Sequence, residues 1–236
     1  MRVAAIIPAF NAARTLAPVV EETKRRLADV IVVDDGSIDG TSDVARAAGA
    51  TTVLRHERNR GKGAALKTGF AHACGEGYEA VITLDADGQH LPREIPKFLA
   101  AFADTKADLV IGGRSHLFAQ MLPRRRMANR FSAWSIAKAS GTGVTDSQSG
   151  FRLYSADLLR NIHMHTDGFD MESEVIVRAG RGGWDVITIP IDLGFVDGLS
   201  TSHYKPLHDT LRIAWTVFRA RFFWGRKLKR RVDGLG

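Results

Sequence analysis

Through the first half of the chain, short apolar runs alternate with stretches of helical periodicity, and few architectures accept that order. Residues 3–8, 30–33, 52–54, 80–84 and 109–111 have the length and branched composition of strands. Between them, residues 12–27, 41–48, 63–74 and 92–102 repeat their apolar side chains at helical spacing. Strands separated by helices pair in parallel, and a parallel sheet must be covered on both faces. The order therefore predicts an α/β fold with a mainly parallel sheet flanked by helices. In such sheets ligands gather beyond the carboxyl ends of the strands. Four polar segments fall at those ends: Pro8-Ala9-Phe10-Asn11, Asp34-Asp35-Gly36-Ser37, Arg58-Asn59-Arg60-Gly61-Lys62-Gly63 and Asp85-Ala86-Asp87.

The last of these carries the most chemistry. Asp85 and Asp87 stand one residue apart directly after an apolar strand, and magnesium or manganese takes such carboxylates while leaving further positions to substrate phosphates. An acidic turn is the plainer alternative, since Asp and Gly both favour turns. Asp34 and Asp35 have the acceptors to bind a nucleobase and ribose, or one of them caps the helix near Thr41. In the third segment two glycines allow close backbone approach to a ligand, and Lys62 lies near a helix start, where anions are favoured. Neither a GxxxxGK[ST] loop nor a GxGxxG is present, which removes the usual support for a kinase or a dinucleotide enzyme.

The sequence series IIPAFNA, VVDDGSIDGT, NRGKGAALKTGF, LDADGQH, GGR and DSQSGFRLY resembles the family 2 glycosyltransferases of GT-A fold, and among them the dolichyl- or polyprenyl-phosphate sugar synthases. The resemblance spans roughly residues 3 to 205. It implies a nucleotide-diphosphate-sugar donor with GDP or UDP, a Mg2+ or Mn2+ cofactor, and inversion at the anomeric carbon. It also implies that Pro8, Phe10, Asn11 and Asp35 hold the nucleoside, that Asp85 and Asp87 serve the diphosphate and metal with Gln89 joining the metal site, and that Arg114 faces the acceptor phosphate. Where the family commonly has an acidic residue after the first-motif Asn, this chain has Ala12, which leaves the donor open.

The middle of the chain is expected to build the acceptor side. Residues 127–139 are predicted to form a helix after the cluster Arg124-Arg125-Arg126, and Asp146 to Arg152 form a polar loop. The resemblance makes Asp146 and Gln148 sugar contacts; alternatively Asp146 caps a turn and Arg152 pairs with a nearby acid. Glu172 and Glu174 are candidates for orienting the acceptor or its arginines. By the same resemblance Ser200 to Lys205 form a loop that closes on the diphosphate, so that His203 and Lys205 stabilise the leaving group.

Charge is unevenly placed. Eight basic residues and no acid lie between Arg212 and Arg231, leaving 25 basic against 26 acidic residues elsewhere. From Leu207 a helical stripe runs through Leu211, Ala214, Trp215, Phe218 and Phe222, beside Arg212, Arg219, Arg226 and Arg230, with Ile213, Val217, Trp224 and Leu228 on a second apolar face. Aromatic residues beside arginines fit an anionic membrane surface, or the helix packs on the core by its main stripe. The expected division is a catalytic domain over 1–205 and a basic amphipathic helix over 206–236. With one cysteine, no long apolar run and no signal-like start, the protein is expected in the cytoplasm, peripheral at the cytoplasmic face of the membrane.

Two acceptors stay open. A polyprenyl phosphate is already an anion and needs no protein base, whereas a hydroxyl needs a positioned carboxylate such as Asp146, Asp170 or Glu172. A nucleotidyltransferase lacks its glycine- and arginine-rich N-terminal loop here, and a nucleic-acid-binding protein lacks any familiar motif. A non-catalytic sugar-binding module would have little use for the Asp85–Asp87 pair.

Overall fold

The computed structural model describes residues 1–116, 123–194 and 206–223. Seven strands form one sheet: β1 Val3–Ala9, β2 Asp29–Asp34, β3 Thr52–Arg55, β4 Ala80–Thr83, β5 Leu109–Gly113, β6 Arg152–Ser155 and β7 Val186–Pro190. Their order across the sheet is β3-β2-β1-β4-β6-β5-β7, and every pairing is parallel except those of β6. The helices are α1 Leu16–Lys24, α2 Thr41–Ala47, α3 Lys62–Gly75, α4 Ile95–Thr105, α5 Pro123–Ser140, α6 Ala156–Asn161, α7 Asp170–Gly182 and α8 Pro206–Phe222.

The apolar strands serve two cores. Along β1, Ala4 and Ile6 enter one cluster with α3 and α7 residues such as Leu66, Phe70, Val175 and Ile176. Val3, Ala5 and Ile7 enter the other, with Leu16, Val20, Ile95 and Phe98 from α1 and α4. Successive residues of a strand point to opposite faces, so a strand covered on both sides is apolar at every position. That is why residues 3–8 and 30–33 are continuous runs and not alternating ones.

Four elements depart from the expectation. Strand β6 and helices α6 and α7 lie in segments whose pattern is polar or mixed, and β7 is a short apolar run outside the expected series. Strand β6 opens with Arg152, wholly buried, and β7 ends in a proline on the sheet edge, where a missing N–H does no harm. Helix α1 is also shorter than predicted. The N–H groups of Ala12 and Ala13 donate to Thr41 Oγ1 and Asp39 Oδ2 at 2.9 and 3.0 Å, so this stretch is held by the loop before α2 instead of winding into a helix.

The reversed strand decides where the chemistry lies. With β6 antiparallel, Arg152 pairs with Thr83 at the end of β4 and with Ile111 near the end of β5. The loop entering β6 therefore shares the edge on which β1, β2, β4 and β5 end. Thr83 Oγ1 fixes it by donating to the Gly150 carbonyl at 2.7 Å.

Candidate active site

At the end of β2 the two aspartates face inward. Asp34 is 1% exposed and accepts from the Ser37 N–H at 2.8 Å and from the Ser42 hydroxyl, so it shapes the turn into α2. Asp35 accepts from His56 Nδ1 at 2.6 Å and from the N–H groups of Arg60 and Gly61 at 2.9 and 2.7 Å. That fills three of its roughly four acceptor positions. Both carboxylates also build the loops around the edge. Asn11 instead stands exposed after β1 in a left-handed conformation, φ 50°, its N–H on Ser37 Oγ and its Oδ1 taking the Ile38 N–H.

The glycines of the third segment have a different role from the expected one. A Cβ on Gly61 would stand 2.5 Å from the Asp167 carbonyl oxygen, and one on Gly63 would stand 2.7 Å from the Asp167 carbonyl carbon. It is the backbone at Asp167-Gly168 that approaches, not a ligand. The same carbonyl accepts the Ala64 N–H at 3.1 Å and so caps the start of α3.

Lys62 points into the site. Its Nζ lies 2.6 Å from Asp85 Oδ1 and 3.1 Å from Glu172 Oε2, joining the end of β4 to the first turn of α7. Burial alone would lower the lysine's pKa, but the two carboxylates outweigh it and hold it above the ordinary lysine range. Burial also works against ionised Asp85, and Lys62 overcomes this, bringing Asp85 down to about 2. Gly150 closes the arrangement, because any Cβ there would meet Asp85 Oδ2 at 2.7 Å and Lys62 Nζ at 2.8 Å.

Asp87 is in the opposite condition. Burial and then the neighbouring charge of Asp85 push its pKa up, against the Gln89 N–H that its Oδ1 accepts at 3.0 Å. A divalent cation would relieve both causes, so the donor set fits one. Among the described residues there is no group of three or more His, Cys, Asp or Glu that could hold a metal ion by itself. His90, which pattern reading passes over, lies behind the turn, 3% exposed. Its Nδ1 accepts the Asp85 N–H at 3.1 Å, and burial drops its pKa to about 4, so it is neutral near pH 7.

Arg114, after β5, forms a bidentate pair with Asp146: Nε to Oδ2 at 2.7 Å and one terminal nitrogen to Oδ1 at 3.2 Å. The Arg114 and Gln148 N–H groups complete Asp146, each at 3.0 Å. Burial opposes the charge on both partners, but the pairing raises the arginine's pKa and lowers the aspartate's. Asp85 and Glu172 are near enough to favour the Arg114 charge as well, which ties this pair to the Lys62 cluster. Gln148 donates through Nε2 to Ser132 Oγ on α5 at 3.0 Å. Arg152 does not simply pair with an acid: it donates to the carbonyls of Ser149, Glu172 and Ser147 at 2.7, 2.7 and 2.9 Å, and Glu172 Oε1 lies 3.9 Å away.

Lys62, Asp85, Asp87, Gln89, Arg114, Asp146 and Gln148 thus meet at one edge, and Glu172 joins them. Glu174 does not. Wholly buried, it accepts the N–H groups of His165 and Thr166 and holds that turn. Asp170 accepts from Thr216 Oγ1 on α8 at 2.8 Å. His203 and Lys205 lie outside the described residues.

Residues 4–163 match the family described as Glycosyl transferase family 2. The chain is a family 2 glycosyltransferase. Among its relatives, the undecaprenyl-phosphate mannosyltransferase of Micrococcus luteus is 32% identical over 203 residues, covering 81% of this chain and 83% of its own. The UDP-N-acetylglucosamine–dolichyl-phosphate N-acetylglucosaminyltransferase of Methanococcus voltae is 28% identical over 208 residues, 79% and 83% of the two chains. In structure the glycosyltransferase superposes on glucosyl-3-phosphoglycerate synthase from Mycobacterium tuberculosis, solved with Mn2+, UDP and glucosyl-3-phosphoglycerate. The TM-score is 0.67 at 18% identity, over 93% of this chain and 80% of that one, which establishes the GT-A fold.

Proposed function

We propose that this glycosyltransferase moves a sugar from a nucleotide-diphosphate sugar to a polyprenyl phosphate, with inversion at the anomeric carbon. A phosphate oxygen of the acceptor attacks that carbon in line as its bond to the diphosphate breaks, and the bonding electrons leave on the diphosphate oxygen. No proton has to move, because the attacking group is already an anion. Relatives named for undecaprenyl and dolichyl phosphate support the acceptor class. Because those two names carry different sugars, the donor is left open between GDP and UDP.

Three carboxylates carry this proposal. A hydroxyl acceptor needs a general base near neutral pH with a free oxygen. Asp146 has all four acceptor positions filled and a lowered pKa, Asp170 is 1% exposed and bonded to Thr216, and Glu172 is paired with Lys62 through Oε2 while its unbonded Oε1 is shut off from the surface by burial. None is disposed as a base, whereas Arg114 is oriented by Asp146 and suits phosphate oxygens.

Pro8, Phe10 and Asn11 would line the nucleoside, with Asp35 supporting the loop beside it. Gln148 would meet the sugar. Asp85, Asp87 and Gln89 would hold Mg2+ or Mn2+, which when bound offsets the diphosphate charge. By resemblance, His203 and Lys205 would serve the leaving group. The basic helix α8 would keep the enzyme peripheral to a membrane; among the described residues no helix is long and apolar enough to cross one.

The test is incubation with a panel of GDP- and UDP-sugars, metal and a short polyprenyl phosphate, followed by mass spectrometry of the lipid. A sugar phosphodiester of the lipid is the expected product. Transfer only to hydroxyl acceptors, with the acidic limb of the pH–rate profile lost in Asp146→Asn, would overturn the proposal.

A further inference from the structure

Large apolar side chains left in water are concentrated on two helices. On α5, Met127, Phe131 and Trp134 are 71%, 66% and 59% exposed and recur at i, i+4 and i+7. On α8, Trp215, Phe218 and Phe222 are 59%, 45% and 63% exposed at i, i+3 and i+7, and Phe223 follows. The main stripe of α8 is therefore not the face that packs on the core. Ile213, Thr216 and Ala220 are buried instead, as Ala133 and Ile136 are on α5. Single exposed apolar residues are ordinary, but a stripe on each of two helices in mutual contact is not.

The surroundings are cationic. Residues 115–145 and 210–232 contain no Asp or Glu. Lys138 Nζ lies 5.7 Å from the Trp134 ring and the Arg221 guanidinium 5.6 Å from the Phe222 ring, while Arg130 is exposed one residue before Phe131. Rings at the surface with cations beside them and no acids are complementary to the headgroup zone of an anionic bilayer.

Both helices are also tied to the site from within. Ser132, next to Phe131, accepts the Gln148 side chain at 3.0 Å, and Thr216, next to Trp215, donates to Asp170 at 2.8 Å at the start of α7, the helix that carries Glu172. We infer that the outer faces of α5 and α8 together lie in the headgroup layer of an anionic membrane and hold the acceptor side of the site against it. The docking surface is then a two-helix platform and not the C-terminal helix alone. Only its purpose, presenting a lipid-borne phosphate to Arg114, rests on the function proposed above.

The test uses the full chain and its own tryptophans. Trp215→Phe/Trp224→Phe leaves Trp134 as the surface reporter, and Trp134→Phe/Trp224→Phe leaves Trp215; Trp184 is 3% exposed in the core and gives a constant background. With vesicles of brominated phosphatidylcholine containing phosphatidylglycerol, both reporters should be quenched. Phe131→Ser/Trp134→Ser should bind those vesicles about tenfold more weakly or worse, from the apolar area lost, with circular dichroism and Tm unchanged. Binding should weaken with salt and on pure phosphatidylcholine. An unquenched Trp134 would overturn the two-helix platform, and so would serine variants that bind like the parent. A lipid-independent dimer lost in the serine variant would assign these faces to a second copy and overturn it too. Transfer to a water-soluble short polyprenyl phosphate without vesicles keeps the two proposals apart. If transfer persists without quenching, only the docking fails; if quenching occurs without transfer, only the function fails.

Discussion

Replacing Lys62 with Met removes the one cation that both Asp85 and Glu172 approach within hydrogen-bonding distance among the described residues. Breaking a buried pair from one side costs about 3–5 kcal/mol, because a charge is left uncompensated. Here Asp85 keeps 28% of its side chain exposed, against 15% for Lys62 and 9% for Glu172, so water recovers part of that cost. The lowering of Asp85 from 3.8 to about 2 sets a second scale of about 2 kcal/mol for this carboxylate. Lys62→Met should therefore lose about 2–4 kcal/mol, which for a chain of this size is a fall in Tm of about 4–16 °C. Because a lowered carboxylate pKa stabilises only where the group is ionised, Asp85's share is present above its unfolded pKa and is lost as pH falls from about 4 to about 2. The parent should converge on the variant over that window. Thermal and urea unfolding of Lys62→Met, Glu172→Gln and the double variant complete the cycle, with a coupling of at least about 1 kcal/mol expected. A Tm change below about 2 °C, or strict additivity, would show that the Lys62 bridge does not hold β4 to α7.

Other outcomes follow from neighbouring groups. His90 is held neutral by burial with its pKa at about 4, so stability should be full above pH 6.5 and decline by up to about 3 kcal/mol as pH falls to 4; urea midpoints of His90→Asn should lack that slope. Manganese should raise the parent's Tm, by about 2.7 kcal/mol of stability at a hundredfold excess over Kd, and Asp87→Asn should abolish the rise; an undiminished rise would remove Asp87 from the metal site. Gly63→Ala should destabilise by about 1–3 kcal/mol in chemical denaturation, since its methyl would press on the Asp167-Gly168 backbone; a neutral result would mean this segment yields freely.

The sheet was legible because β1, β2, β4 and β5 are buried on both faces and so write themselves as unbroken apolar runs. Helix α7 and strand β6 were not, for a physical reason. Their buried positions include Arg152, Asp170, Glu172 and Glu174, whose charges are satisfied by carbonyls, N–H groups and side chains far away in sequence. A hydropathy pattern reads such residues as surface. The placement of Asp85 and Asp87 on the strand-end edge followed from topology alone, whereas Arg114 joined them only through the resemblance carried by the GGR motif. The bridge from Lys62 to Glu172 spans 110 positions and leaves no mark in local pattern, and the two glycines beside Lys62 announced a close approach without revealing what comes close. The Asp-Gly turn likewise concealed His90, which earns its place only through burial behind the Asp85 backbone.

The antiparallel β6 has a consequence for how such an enzyme diversifies. A chain that kept strictly parallel order would deliver the segment before β6 to the opposite rim, remote from the carboxylates. Turned round, that segment and the connection between β5 and β6 become one insertion in an otherwise parallel frame, delivered to the rim that carries the carboxylates. Thr83 and Arg152 keep the splice in register, so a change in the insertion's length need not disturb the strands on either side.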